Sequence, residues 1–288
     1  MTYPAYHLLM PKARDTSVVF ASPHSGRAYA PAFVRASVLD GHSLRSSEDA
    51  FVDQLFSDAP RHGAPLLLAG VPRAYVDLNR SATELDPALI DGVRKLAHNP
   101  RIAAGLGVVP RVVAGGRAIY RGKIPLAVAE ARIAAYWAPY HAQLRQLLDQ
   151  SLAQFGQAIL IDCHSMPREA LDGISHVGMK RPDVVLGDRF GASAGAEVVD
   201  IVESALVSAG LRVARNAPFA GAYIAQAYGR PARGQHVVQI EIDRSLYMDE
   251  AAIRPNAGFA QLQSVLAKVV AEIAAYGRAR HGRQLAAE

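Results

Sequence analysis

The chain has 288 residues, half of them apolar and a fifth charged, which is enough to bury a large core and argues against extended disorder. Its formal charge of +5 is spread over scattered cations without a dense basic run or interleaved aromatics, which argues against nucleic acid as a partner. One cysteine excludes an internal disulfide and a thiolate zinc cage, no stretch nears the ~20 apolar residues of a membrane span, and the first residues lack a secretory pattern, so a cytoplasmic protein is expected.

In chain order, apolar runs near 17–21, 65–70, 74–78, 158–162, 183–187 and 236–242 predict short strands. Several are continuous rather than alternating, as strands covered on both faces are. Helical spacing appears at 47–58 (Phe51, Val52, Leu55, Phe56) and at 126–155 (Ile133, Trp137, Tyr140, Leu144, Leu147, Leu148), then at 193–209 and 256–277. Strands alternating with helices predict an α/β fold with a mostly parallel, mixed central sheet and helices on both faces. Residues 98–125, rich in glycine and arginine, predict a long excursion over that sheet. No repeat or linker interrupts residues 1–288, so a single domain is expected.

Two apolar runs end in a histidine. Val18-Val19-Phe20-Ala21 leads into Ser22-Pro23-His24-Ser25-Gly26, and Ala158-Ile159-Leu160-Ile161 leads into Asp162-Cys163-His164-Ser165. Groups at the carboxyl ends of neighbouring strands converge in open α/β sheets, and two imidazoles delivered that way begin a metal site. A hydrolytic zinc needs about three protein ligands, and the best carboxylate source is Ser46-Ser47-Glu48-Asp49-Ala50-Phe51-Val52-Asp53. Serine caps with Glu48 and Asp49 in a first helical turn also fit a plain helix start. Glu241 lies on the polar face of Val237-Val238-Gln239-Ile240-Glu241-Ile242-Asp243, where an acid is either a buried ion-pair partner or a general base. Asp77-Leu78-Asn79-Arg80 is expected to end a strand. Arg121 follows Tyr120, and Tyr223 and Arg230 flank a further loop; arginines there can clamp a carboxylate or hold an oxyanion. Gly191-Ala192-Ser193-Ala194-Gly195 matches the nucleophile elbow of serine hydrolases, but the four residues Gly187-Asp188-Arg189-Phe190 separate it from the preceding strand.

Taken together, Pro23-His24-Ser25-Gly26, Glu48 to Asp53, Tyr75 to Arg80, Tyr120-Arg121, Asp162 to Ser165, Gly221 to Ile224, Tyr228 to Pro231 and Gln239 to Glu241 resemble the N-formylglutamate amidohydrolase family, from about Phe20 to Met248. The resemblance implies a fold similar to zinc carboxypeptidases and aspartoacylases. It implies one Zn²⁺ per chain on His24, Asp49 and His164, with Asp49 rather than Glu48 as the carboxylate. It implies Glu241 and Arg80 as catalytic groups, and Asn79, Arg121, Tyr223 and Arg230 as substrate-binding groups. The activity implied is release of formate from N-formyl-L-glutamate, an acidic N-acyl amino acid, in histidine degradation. Another N-acyl amino acid or small peptide is the nearest alternative substrate, and a non-catalytic binding protein on the same fold is a second. Unlike carboxypeptidases, the chain has no carboxylate just after the first histidine, where Ser25-Gly26-Arg27 stands. Ala222, Gln226 and Ala227 also depart from the expected pattern.

Overall fold

The computed structural model describes residues 3–94, 99–172 and 181–285, so the first residue of the 98–125 excursion lies outside it. Seven strands form a sheet among the described residues: β1 (Tyr6–Leu9), β2 (Val18–Ser22), β3 (Leu66–Ala69), β4 (Ala158–Met166), β5 (Val184–Gly187), β6 (Val213–Arg215) and β7 (Gln235–Asp243). Their order is β1-β3-β2-β4-β7-β5-β6. Every residue of β2 and β4 is buried, as is every residue of β7 after Gln235, so the polar side chains on β4 and β7 are enclosed along with the apolar ones. β2, β4 and β7 run parallel, with Ala21 opposite Asp162 and His164 opposite Glu241. β5 pairs antiparallel to β7, and β6 parallel to β5, so the sheet is mixed as expected.

The chain divides into two compact units, each built from separated segments. The first comprises Met1–His7, Pro23–Ala50 and Leu68–Gln143. Its apolar cluster contains Phe33, Leu44, Ala74, Val113 and Ile119, with Tyr29, Tyr75 and Tyr120 packed against it. Arg132 is buried there with its guanidinium carbon 4.1 Å from the centre of the Tyr75 ring, a cation–π contact. The second unit comprises Leu8–Ser22, Phe51–Leu67 and Leu144–Glu288. In it, the helices Ala196–Ser208 and Phe259–Leu285 pack on each other, burying Val198, Val199, Val202 and Leu206 from one and Leu262, Leu266, Val269, Val270 and Ile273 from the other. Spacings of three and four residues put each set on one helix face. Among the described residues no helix is long and apolar enough to cross a membrane.

Three expectations change. Residues 74–78 are not a strand, and Asp77-Leu78-Asn79-Arg80 therefore ends none: Tyr75 and Val76 both donate to the Pro72 carbonyl, and the Asp77 carboxylate accepts from the Asn79 amide. Buried Ala74, Val76 and Leu78 gave the alternation of a strand, but Asp77 closes an Asx turn instead. Residues 47–58 are not one helix. They contain only the turns Arg45–Ser47 and Val52–Leu55, because Phe51 between them takes the left-handed φ of 67°. Ser46 and Ser47 do not cap it: the Ser46 hydroxyl donates to the Ser43 carbonyl, and Ser47 accepts from the Ala114 amide. The stretch 126–155 is helical throughout, but as the helices Leu126–Arg132 and Ala138–Phe155 joined by a π turn at Ile133–Trp137. β1 and β6, both short, were not expected.

The burial pattern makes the middle of the sheet the stability-determining region. Ile240, fully buried on β7 between β4 and β5, should cost about 2–5 kcal/mol when replaced by alanine. Val207→Ala, on a residue 54% exposed, should stay within about 0.5 kcal/mol of the parent. Urea unfolding of the two variants checks the difference, and equal midpoints would contradict this account of the core.

Candidate metal centre

His24 stands two residues past the end of β2 and is 2% exposed. Its Nε2 lies 2.8 Å from Oδ1 of Asp77, and its Nδ1 lies 3.4 Å from Oδ2 of Asp49. The Asp49 amide donates to the His24 carbonyl, so backbone as well as side chain ties the two segments. A carboxylate holding one ring nitrogen of a histidine orients the ring and leaves the other nitrogen for a metal. Gly26 belongs to this turn because a Cβ there would stand 2.1 Å from the Val71 carbonyl oxygen.

Asp77 is a junction. Its Oδ1 takes His24 and the Asn79 amide, and its Oδ2 takes Nε of Arg73 at 3.0 Å. Burial raises its pKa, but the charges of Arg73, His24 and Arg80 outweigh that and hold the carboxyl well below the usual range. The turn that fixes His24 thus also carries Asn79 and Arg80, both buried. Arg80 donates from Nε to the Leu106 carbonyl and from Nη1 to the Asn79 carbonyl, and burial lowers its pKa.

The two adjacent acids part company. Glu48 is gripped by Arg45 through Nε and Nη2 at 3.0–3.2 Å, while the Tyr29 hydroxyl donates to the Leu44 carbonyl and has its pKa raised by burial and by the Glu48 charge. Asp49 turns to His24 instead. Phe51, left-handed two residues on, reverses the chain direct after this pair, a strained conformation of the kind found around sites.

His164 is not beyond its strand but inside β4, which continues to Met166. The two-residue strand period puts Asp162 on the same face, and Nε2 of His164 lies 3.1 Å from its Oδ1, a second carboxylate–imidazole pair. Across the parallel register His164 faces Glu241. Gln239, one step back on that face, donates from Nε2 to Oε1 of Glu241 at 2.8 Å and accepts the Ala222 amide on its own Oε1. That chain of bonds connects the Gly221-Ala222-Tyr223 loop to Glu241. Cys163 points to the other face, and burial pushes its thiol pKa well up, so it is an inert core residue.

One ligand atom from each of His24, Asp49 and His164 lies within 4.8 Å of the others, and all three residues are buried. These three form a possible metal site, and the donor set fits a divalent cation on chemical grounds. Nε2 of His24 is hydrogen-bonded to Asp77, Nε2 of His164 lies 3.1 Å from Asp162, and the Asp49 carboxylate closes the set. Of the other expected residues, Tyr223 opens the helix Tyr223–Tyr228 beside the Ala222–Gln239 link. Arg230 is exposed and donates to the Gln226 and Gly229 carbonyls, while Arg121 is exposed in the loop after Tyr120. The serine-elbow match is excluded by geometry: Ser193 is fully buried, with its hydroxyl spent on the Val237 carbonyl. Asp77 and Asp162 as histidine partners, and Gln239 as a link, were not singled out from sequence. The i, i+2 spacing of Asp162 and His164 could have revealed one; nothing local links Asp77 to His24.

Residues 16–248 match the N-formylglutamate amidohydrolase family. Relatives named N-formylglutamate deformylase from Pseudomonas aeruginosa and Pseudomonas putida are 31% and 30% identical over 272 residues, covering 92% of this chain and 95% of theirs. A crystal structure of N-formylglutamate amidohydrolase from Ralstonia eutropha superposes with a TM-score of 0.89 at 36% identity, covering 95% of this chain and 98% of that one. A gene product of Agrobacterium tumefaciens, at 16% identity and a TM-score of 0.59, shares the fold.

The division of labour between the acids sets an order of metal affinities. Asp49→Asn should abolish stoichiometric metal uptake, and Asp77→Asn should weaken it by about 10–100-fold. Glu48→Gln should retain the metal and lose only thermal stability. Elemental analysis with chelator competition tests this order, and metal loss in Glu48→Gln but not in Asp49→Asn would reverse the assignment.

Proposed function

The chain belongs to the N-formylglutamate amidohydrolase family, and on that premise we propose that it hydrolyses N-formyl-L-glutamate to formate and glutamate with one zinc ion on His24, Asp49 and His164. Zinc is chosen because two imidazoles and one carboxylate are a catalytic zinc donor set that keeps a position open for water. A cation held there supplies Lewis acidity toward the amide oxygen and lowers the pKa of a water at the site. The observation that carries the reading is the register of β4 with β7, which sets Glu241 beside a ligand histidine on one face of the sheet.

In this reading Glu241 takes the proton of the attacking water and later hands it to the departing amine nitrogen. Gln239 donates from Nε2 to Oε1 of Glu241, which holds the carboxylate in place for that proton transfer. Arg80, on the turn fixed by Asp77, steadies the negative oxygen that develops on the formyl carbon. Asn79 and Tyr223 orient the substrate, and Arg121 and Arg230 attract its carboxylates. The near full-length match to relatives supports the whole chain acting as one amidohydrolase domain, which we place in the cytoplasm with its small metabolite substrate. A different N-acyl amino acid is the second reading, favoured by Gln226 and Ala227 beside Tyr223, which bring no cation to that loop.

Formate release should disappear after chelation and return with zinc; undiminished turnover by metal-free protein would refute the mechanism. Glu241→Gln should lower kcat by about 10²–10⁴-fold with zinc still bound. Arg121→Lys and Arg230→Lys should mainly raise KM, by about tenfold or more if one charge-assisted bond is lost. Wild-type KM in both would place the carboxylate clamp elsewhere. A panel of N-formyl, N-acetyl and N-succinyl amino acids decides the substrate, and preference for an uncharged amino acid would favour the second reading.

A further inference from the structure

The π turn at Ile133–Trp137 interrupts the helical stretch from Leu126 to Phe155 just ahead of Pro139, which has no N–H to continue an α-helical ladder there. Its effect is visible in three side chains. Arg132 donates from Nη1 to the Tyr75 carbonyl at 3.3 Å, Trp137 from Nε1 to the Arg80 carbonyl at 2.9 Å, and His141 Nε2 lies 2.9 Å from the Leu78 carbonyl. In an uninterrupted α-helix, at about 100° per residue, positions 132 and 137 would diverge by about 140°. A turn with i to i+5 hydrogen bonds returns residues five apart to one side. The spacing of five and then four residues therefore forms a single stripe of donors, and all three meet the segment 75–80. The rings pack as well, with Trp137 and His141 centroids 4.0 Å apart at a 35° tilt and the Arg132 guanidinium over Tyr75.

We propose that this π turn is a positioning device for the proposed reaction: Trp137 and His141, with Arg132 behind them, grip the carbonyls on either side of Asn79 and so aim the Asn79 and Arg80 side chains. A turn held only by the Asp77–Asn79 bond on one side could rotate its peptide planes. Donors on the Leu78 and Arg80 carbonyls fix the planes flanking both side chains. Since Trp137 holds the Arg80 carbonyl and Arg80 itself donates to the Leu106 and Asn79 carbonyls, backbone and guanidinium of the same residue are anchored separately. Neither Trp137 nor His141 needs to touch substrate for this; they are positioning residues, and the inference rests on the role given to Arg80 above.

The test compares single and double variants of the zinc-loaded enzyme on N-formyl-L-glutamate. Trp137→Phe keeps an aromatic ring against His141 and removes the N–H that binds the Arg80 carbonyl. His141→Ala removes the other grip, and His141→Gln restores a donor near the Nε2 position. Trp137→Phe and His141→Ala are expected to lower kcat/KM by tenfold or more, chiefly in kcat, with zinc content unchanged and Tm within a few degrees of the parent. His141→Gln should recover most of that loss. Because the stripe acts through Arg80, Trp137→Phe should add little to Arg80→Lys. Deleting Ala135, which removes the extra residue of the π turn and shifts the stripe out of line, should cost at least as much as either substitution. Wild-type kcat/KM in Trp137→Phe and His141→Ala beside an impaired Arg80→Lys overturns the positioning role alone. An unimpaired Arg80→Lys overturns the assignment of Arg80 and the positioning role with it. A loss that tracks Tm or zinc content and is not recovered by His141→Gln shows packing support only, and also overturns the inference.

Discussion

A carboxylate at 1% exposure stays ionised only if its surroundings return what water would have given it, and Asp77 obtains that from three directions at once. His24, Arg73 and the Asn79 amide converge on its two oxygens. Each of those bonds also fixes something the site depends on. His24 has its Nε2 committed, so its orientation toward Asp49 follows. Asn79 and Arg80 are carried on the turn that the same carboxylate closes. Removing this charge would therefore loosen one residue of the possible metal site and the buried pair Asn79-Arg80 together, although none of them is its neighbour on a helix or strand.

The other half of the chemistry comes from the regularity of the sheet rather than from a turn. The two-residue strand period aligns Asp162 with His164 and Gln239 with Glu241, and the parallel register sets the two pairs side by side. A slip of one residue between β4 and β7 would set Ile240 or Ile242 opposite His164 in place of Glu241. The continuous burial of both strands makes that slip expensive, so packing along their whole length protects the placement of Glu241 beside His164.

Much of this was legible in the chain because it is local. The buried strands around 18–22, 158–166 and 235–243 announced themselves as apolar runs, and the histidine after β2 and the acid on the polar face of β7 stood out against them. The long helical stretch was equally plain from its spacing. What could not be read depends on contacts between distant segments. The alternation of Ala74, Val76 and Leu78 looks like a strand, and only the bonds of Asp77 to His24 and Asn79 make it a turn. Glu48 and Asp49 are indistinguishable in sequence until Arg45 claims one and His24 the other. Pro139 marks the long helix for a kink, but Ile133-Ala134-Ala135-Tyr136-Trp137 would serve an α-helix as well, so nothing local spells out a π turn.

The strand order has a consequence for how the protein is made. β7, formed by residues 235–243, lies between β4 and β5, so a central position of the sheet is filled by nearly the last strand to be synthesised. Until that segment emerges, β4 and β5 each present an edge with unpaired backbone groups, the kind of surface that invites association with other chains. A ribosome adding about 5–20 residues per second leaves those edges open for several seconds after β5 is complete. Biogenesis of this fold thus includes an obligatory interval of exposure, and premature termination between Arg215 and Gln235 yields a sheet split down its middle rather than a shortened one.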